Sequence, residues 1–244
     1  PGYTPVYTFS GMKLDHVVIL VDDLDAAQRR WRDDGFTVTP GGVHADGLTH
    51  NALICFADGS YIELLAFRTP AATSHRWDRF RSAPGLIDYA VAVSDLPAFV
   101  QQINVRGLDY TAPVEGGRQR PDGITIRWRT SWPPQGAEGL PFLIEDLTPR
   151  ELRVPTGEQR SHPNGAQGIA ELAILVNHLD RAVHDLETLC GGAPVKSNAT
   201  YTFSISGSAL SIQPMSEHGA TAQGGARPAS LAVRRAQGDL WRYE

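Results

Sequence analysis

Three copies of one short pattern place an acidic or imidazole side chain at the same point. Aligned without a gap on Leu24, Leu96 and Leu179, the copies begin at Leu14-Asp15-His16-Val17-Val18, Leu86-Ile87-Asp88-Tyr89-Ala90 and Ile169-Ala170-Glu171-Leu172-Ala173. His16 therefore becomes Asp88 and then Glu171, each a residue type that can ligate a metal or move a proton. Two glutamates add to this set. Glu63 follows Tyr61-Ile62 and Glu145 follows Leu143-Ile144, an apolar pair before a carboxylate in both cases. A carboxylate inside an apolar strand must be paired, protonated or bound to a cation, because burying it alone costs too much. Each residue also has a purely structural alternative. His16 can bond a neighbour at a strand end, and Glu63 can pair with an arginine. Asp88 can cap or pair locally, Glu145 can sit on a solvated face beside Asp146, and Glu171 can be structural.

A second group lies around a glycine-rich stretch, Pro40-Gly41-Gly42-Val43-His44, which reads as part of a loop running to His50. His50 starts a strand straight after that loop and, with Asn51, is placed to position or deprotonate a substrate. His44 belongs to the same loop. Arg127 and Arg129 fall on the polar side of an alternating strand, where they can clamp an anion or face solvent. Trp128, Trp132 and Tyr89 can line an apolar pocket or pack in the core. His162 and Asn164 lie in a polar linker that can cross the cleft mouth or form a turn, while His75, His178, His184 and His218 read as exposed. Neither Cys55 nor Cys190 has the setting of a nucleophile, and no phosphate loop, CxxC pair or HExxH is present.

The elements that must carry these residues follow one plan. Leu14–Val21 is a strand, and Leu24, Ala27 and Trp31 mark one helix face that ends at Gly35. A short strand is expected at Phe36–Thr39, then Asn51–Ala57 and Tyr61–Phe67 joined by Asp58-Gly59, a strong hairpin signal. The order is βαβββ. The second copy has a strand at Leu86–Val93, a helix face at Leu96, Phe99, Val100 and Ile103, and strands at Ile124–Trp132 and Pro141–Leu147. The third has a helix face at Leu179, Ala182, Val183, Leu186 and Leu189, with strands at Tyr201–Ser206, Ala209–Pro214 and Ser230–Arg234. Residues 216–228 read as a mobile loop. The expected fold class is α+β, with tandem units whose curved mixed sheets enclose a cleft. Residues 1–12 are expected to be an extension, 13–150 the first two units paired, 151–167 a linker, and 168–244 the third unit.

The chain has 244 residues and a net charge of −5, with 41% hydrophobic residues and no basic run. This composition argues against nucleic acid, which needs cations to neutralise phosphates. The apolar runs have strand length, so no membrane span is expected. Two distant cysteines in apolar settings read as free thiols of a cytoplasmic protein.

These residues resemble the glyoxalase-like domain group of the vicinal oxygen chelate superfamily. The motifs that carry the likeness are Leu14-Asp15-His16-Val17-Val18, Gly41-Gly42-Val43-His44, Thr49-His50-Asn51-Ala52-Leu53, Tyr61-Ile62-Glu63-Leu64-Leu65 and His162-Pro163-Asn164-Gly165. The resemblance implies a divalent metal held from the first and last strands of two paired units. Carried over, its ligands are His16, Glu63, Asp88 and Glu145, a set suited to Mn²⁺, Fe²⁺ or Mg²⁺, with Ni²⁺ and Zn²⁺ also in range. The implied activity is metal-assisted lyase or isomerase chemistry on a small oxygenated molecule. Glu63, His50 and Glu145 would be catalytic, and His44, Asn51, Arg127 and Trp128 would bind substrate. The alternatives are an extradiol-type dioxygenase, which needs iron and more imidazole, and a non-catalytic protein that binds a small molecule or antibiotic. A homodimer is also compatible with the cleft.

Overall fold

The computed structural model describes residues 11–120, 122–215 and 226–244. The first unit runs β1 (Lys13–Leu20), α1 (Leu24–Asp33), β2 (Thr39–His44), β3 (Thr49–Cys55) and β4 (Tyr61–Phe67). Asp23 starts α1 by accepting a hydrogen bond from the Ala26 amide at 2.9 Å. The Asp58-Gly59 turn forms as expected, with Gly59 at φ +81°. The second unit repeats the plan in β5 (Gly85–Ala92), α2 (Leu96–Val105), β6 (Val114–Gln119), β7 (Thr125–Ser131) and β8 (Phe142–Asp146).

The eight strands close into one barrel in the order β1-β4-β3-β2-β6-β7-β8-β5. Two antiparallel seams, β1 with β5 and β2 with β6, join the units within a single chain. The β1–β5 seam pairs His16 with Ala90 and Val18 with Asp88, the signature of a pseudo-twofold axis between the repeats. Each strand carries one bulged residue along this seam, Asp15 in β1 and Ile87 in β5, and the repeat alignment makes these two equivalent.

Beyond the barrel come a short helix α3 (Arg150–Arg153), β9 (Ala166–Val176), α4 (Leu179–Cys190), β10 (Val195–Ser197), β11 (Thr200–Ile205), β12 (Ser208–Pro214), β13 (Arg227–Arg235) and β14 (Leu240–Tyr243). They form a six-stranded sheet in the order β10-β11-β12-β9-β13-β14. β9 runs parallel to β12 as β1 does to β4, and β13 lies antiparallel to β9 as β5 does to β1. The sheet is thus half a barrel with two strands more, β13 and β14. Its apolar face, including Leu172, Ile174, Leu210 and Val233, shares one core with the outward-facing Val17, Ile19, Tyr89 and Val91 of the barrel. Trp31 of α1 ties the parts together by packing 4.9 Å from Trp241 of β14.

Three local expectations need correction. Pro40–His44 is a strand, not a loop, because its backbone pairs with both β3 and β6. Its glycines permit this. A Cβ on Gly42 would lie 2.3 Å from the Gln119 carbonyl oxygen. β6 was not anticipated, since Gly116-Gly117 breaks the hydrophobic alternation. Residues 151–167 are more than a linker, because α3 carries an arginine into the barrel. The expected N-terminal extension falls largely outside the described residues, as does most of the expected mobile loop at 216–228. Met12, at the edge of that extension, is buried, and its carbonyl accepts a bond from the Ser206 hydroxyl. Among the described residues, no helix is long and apolar enough to cross a membrane.

Candidate functional site

The interior of the barrel holds a cavity of about 310 Å³, lined wholly by residues between His16 and Arg153. At its floor, Glu63 of β4 points inward and is 5% exposed. Its Oε1 accepts a hydrogen bond from the Asn51 amide at 2.6 Å. His16 Nε2 lies 3.5 Å from Oε2, and His44 Nε2 lies 3.5 Å from Oε1. One carboxylate is thus flanked by two imidazoles from β1 and β2, with the Asn51 amide holding it from β3.

The bulge in β1 explains how His16 is oriented. Asp15 turns inward beside it, and the Asp15 carboxylate meets His16 Nδ1 at 2.6 Å. Burial pushes the Asp15 carboxyl up, but Arg153 and the His16 bond outweigh it and hold the group well below the usual carboxylate range. Arg153 reaches in from α3 and pairs with Asp15 at 2.8 Å and with Asp146 at 2.5 Å. It also donates to the Tyr61 hydroxyl at 2.8 Å. An ionised Asp15 fixes the His16 proton on Nδ1, a placement inferred from the bonding partners. The other ring nitrogen, Nε2, is the one left facing Glu63. The His16 ring stacks on Tyr61 at 4.5 Å and meets the edge of Phe142 at 5.3 Å, which fixes its plane.

His44 bonds Thr49 through Nδ1 at 2.7 Å, and burial pushes its pKa down, so it stays neutral near pH 7. The Asn51 Oδ1 is a buried acceptor without a partner and lies against Gly41, where a Cβ would approach to 1.9 Å. Arg118 of β6 completes the floor at 4% exposure. The upper wall is aromatic: Trp132 stacks on Phe142 at 4.4 Å, and Trp77 stands 6.0 Å from Trp132.

The cavity brings together His16, Glu63, His44, Asn51, Trp128 and Trp132 from the residues singled out in the sequence. It leaves out others. His50 precedes Asn51 on β3, so strand alternation turns it to the outer face, near Arg68 and Asp25. Arg127 is likewise outside, 3.6 Å from Glu115 and more than half exposed. Glu145 faces the outside too, where its Oε2 accepts from the Leu96 amide at the start of α2 at 3.4 Å. Asp88, the counterpart of His16, is screened from the cavity by Trp77, whose indole N–H donates to it at 2.8 Å. Burial pushes the Asp88 carboxyl up, against the pull of Arg76. Tyr89 and His162 are structural, the former bonded to the Gly139 carbonyl and the latter to the Cys55 carbonyl and the Thr37 amide. His75, read as exposed, lines the cavity.

The register shows why the expected four-ligand set does not assemble. Val18 pairs with Glu63 across β1–β4, and its counterpart Ala90 pairs with Phe142 across β5–β8. Phe142, not Glu145, therefore occupies the place of Glu63 in the second unit. Among the described residues no three His, Cys, Asp or Glu side chains are arranged to hold a metal ion. Of the four expected ligands, His16 and Glu63 alone reach the cavity, both on the first unit, while Asp88 is held by Trp77. Such a donor set does not fit a four-ligand centre, where at least three protein ligands are usual. The arginines Arg118 and Arg153 escaped the sequence reading. The only signals were two glycines before Arg118 and the arginine-rich start of an apparent linker.

The profile of the glyoxalase-like domain family matches residues 14–190, well over half of the chain. The chain belongs to this family. Its fold is that of the vicinal oxygen chelate superfamily, and the glyoxalase-like assignment covers the barrel and the start of the second sheet. A hypothetical protein from Staphylococcus aureus superposes with a TM-score of 0.76 at 15% identity, over 96% of this chain and 99% of that one. A variant of 4-hydroxymandelate synthase from Streptomyces coelicolor gives a TM-score of 0.62 at 11% identity, over 91% of this chain and 71% of that one. A fusion of a xylose isomerase-like TIM barrel with 4-hydroxyphenylpyruvate dioxygenase gives 0.60 at 15% identity, over 95% of this chain and 38% of that one. At these identities the likeness concerns the fold alone. No curated protein matches the sequence.

Proposed function

We propose that this glyoxalase-like protein is an isomerase or lyase that moves a proton on a small oxygenated molecule, with Glu63 as the base. The observation that carries this reading is the buried contact set around Glu63, with an imidazole 3.5 Å from each carboxylate oxygen and the Asn51 amide at 2.6 Å. Glu63 takes the proton from a carbon next to a carbonyl, and the C–H electron pair moves into a carbon–carbon double bond. The carbonyl oxygen takes the negative charge as an enolate. Return of a proton to carbon completes an isomerisation, whereas loss of a neighbouring leaving group completes an elimination. His16 relays the proton, while neutral His44 donates a hydrogen bond. Chelation enters the reading only through His16 and Glu63, because Phe142 and Trp77 stand where the second unit would supply its donors.

The test is solvent deuterium exchange into small enolisable carbonyl compounds, followed by NMR with and without added Mn²⁺, Fe²⁺, Ni²⁺ or Zn²⁺. Wild-type protein should exchange the α-hydrogen, and Glu63→Gln should lose about a hundredfold or more of that rate, the usual weight of a general base. Equal exchange by Glu63→Gln would refute this role. Stoichiometric binding of such compounds without exchange would favour the non-catalytic binder. About one metal per chain, lost in His16→Ala and Glu63→Ala, would restore the metal-assisted form of the reaction.

A further inference from the structure

We infer that the cavity takes a monocarboxylic acid with a flat apolar body, its acid group held by Arg118. This rests on the cavity being the substrate site, though not on the proton transfer proposed for it. Two arginines lie buried at the floor, and their surroundings differ. Arg153 is matched by Asp15 and Asp146. Arg118, equally buried, makes no salt bridge among the described residues. Its guanidinium donates to the Gly41 carbonyl and, at 3.2 Å, to the Arg153 carbonyl. A buried guanidinium served only by main-chain carbonyls is an expensive arrangement. Burial pulls its pKa down in keeping with that cost. Glu63, in the same cavity, acts on Arg118 only through space and beyond salt-bridge distance, so an anion entering the cavity can meet the guanidinium directly.

The surroundings narrow the anion further. A guanidinium matches a planar carboxylate through paired N–H bonds. The carboxylates Asp46, Glu63 and Glu115 line the cavity together with the arginines Arg76, Arg118 and Arg153, so the lining has no net excess of positive charge to hold a dianion such as a phosphate monoester. Beside Arg118 the wall is bare backbone. A Cβ on Gly116 would lie 2.9 Å from the Trp128 indole nitrogen, and one on Gly117 would lie 2.5 Å from the Ile126 carbonyl oxygen. Ring surface from Trp77, Trp128, Trp132 and Phe142 lines the cavity as well, which suits a flat apolar body. A volume of about 310 Å³ is at the lower end for small-molecule sites, so the ligand is small.

Three tryptophans in the wall make intrinsic fluorescence a direct readout of occupancy. Benzoate and phenylacetate are titrated against neutral benzamide with wild-type protein, Arg118→Gln, Arg118→Lys and Glu63→Gln, each checked for folding by circular dichroism. Wild-type protein should bind the acids at least about tenfold more tightly than benzamide, the effect of one charge-assisted contact. Arg118→Gln should erase that preference and leave benzamide binding unchanged. Arg118→Lys keeps the charge without the fork and should keep part of the preference, which covers the case in which Arg118→Gln does not fold. Glu63→Gln should bind benzoate at least as tightly as wild type. Equal binding of benzoate and benzamide by wild-type protein would overturn the carboxylate subsite and leave the proposed reaction standing. Failure of deuterium exchange alongside selective benzoate binding would do the reverse.

Discussion

Asp15 is a residue the sequence offered no reason to single out, yet it sets the chemistry of its neighbour. It occupies a bulge, so both Asp15 and His16 turn inward, and Arg153 keeps it ionised. Its folded pKa lies well below the ordinary 3.8, which makes a definite prediction for acid stability. The contribution of Asp15 is complete above its unfolded pKa and is lost as pH falls through the lower folded value. Asp15→Asn should therefore flatten the loss of stability between pH 5 and the acid limit, measured by urea unfolding across pH. It should also lower stability at pH 7 by about 3–5 kcal/mol, because Arg153 is left buried with half its charge unmatched. Two superposable pH profiles would count against this account. His16 and Glu63 were legible because a buried strand has few reasons to carry either type. Arg118 and Arg153 were not legible, since arginine is ordinarily a surface residue and only the tertiary fold buries these two.

Strand register decided which glutamate reached the interior. The motif likeness between Tyr61-Ile62-Glu63 and Leu143-Ile144-Glu145 is real, but the ladders align Glu63 with Phe142, three residues before Glu145. An odd offset turns a side chain to the opposite face of the sheet. Glu145 accordingly sits at the start of α2 near Arg129, at 3.7 Å. Glu145→Gln is expected to leave benzoate binding and deuterium exchange within about twofold of wild type. It should cost under about 1 kcal/mol of stability, the weight of an exposed ion pair. A loss of either function comparable to that in Glu63→Gln would mean that the register reading is wrong. The helices, the Asp58-Gly59 hairpin and the buried strands were legible because their periodicity and turn chemistry are local. β2 and β6 were not, because glycine-rich segments become strands only when neighbours supply hydrogen bonds on both sides.

The repeated unit and its pairing could be read from the sequence, since three aligned copies with one apolar face each must bury that face on a neighbour. The half-barrel of the third copy, with β13 in the role β5 plays for β1, depends on long-range pairing that no local pattern announces. In that copy Ser211 takes the place of Glu63, and its hydroxyl bonds Glu171, the counterpart of His16, at 3.0 Å. The barrel is nearly twofold in backbone, but its two halves differ in chemistry. The first contributes Glu63 and the histidines, and the second contributes Phe142, Trp128 and Trp132. A truly symmetric cleft would accept a molecule in two equivalent orientations. Here the halves are unlike, so a bound molecule has one handed pose and shows the base a single prochiral face. A substrate with a reactive CH₂ group should therefore take up one deuterium of defined configuration, and uptake at both positions at similar rates would show that the aromatic half does not hold it in place.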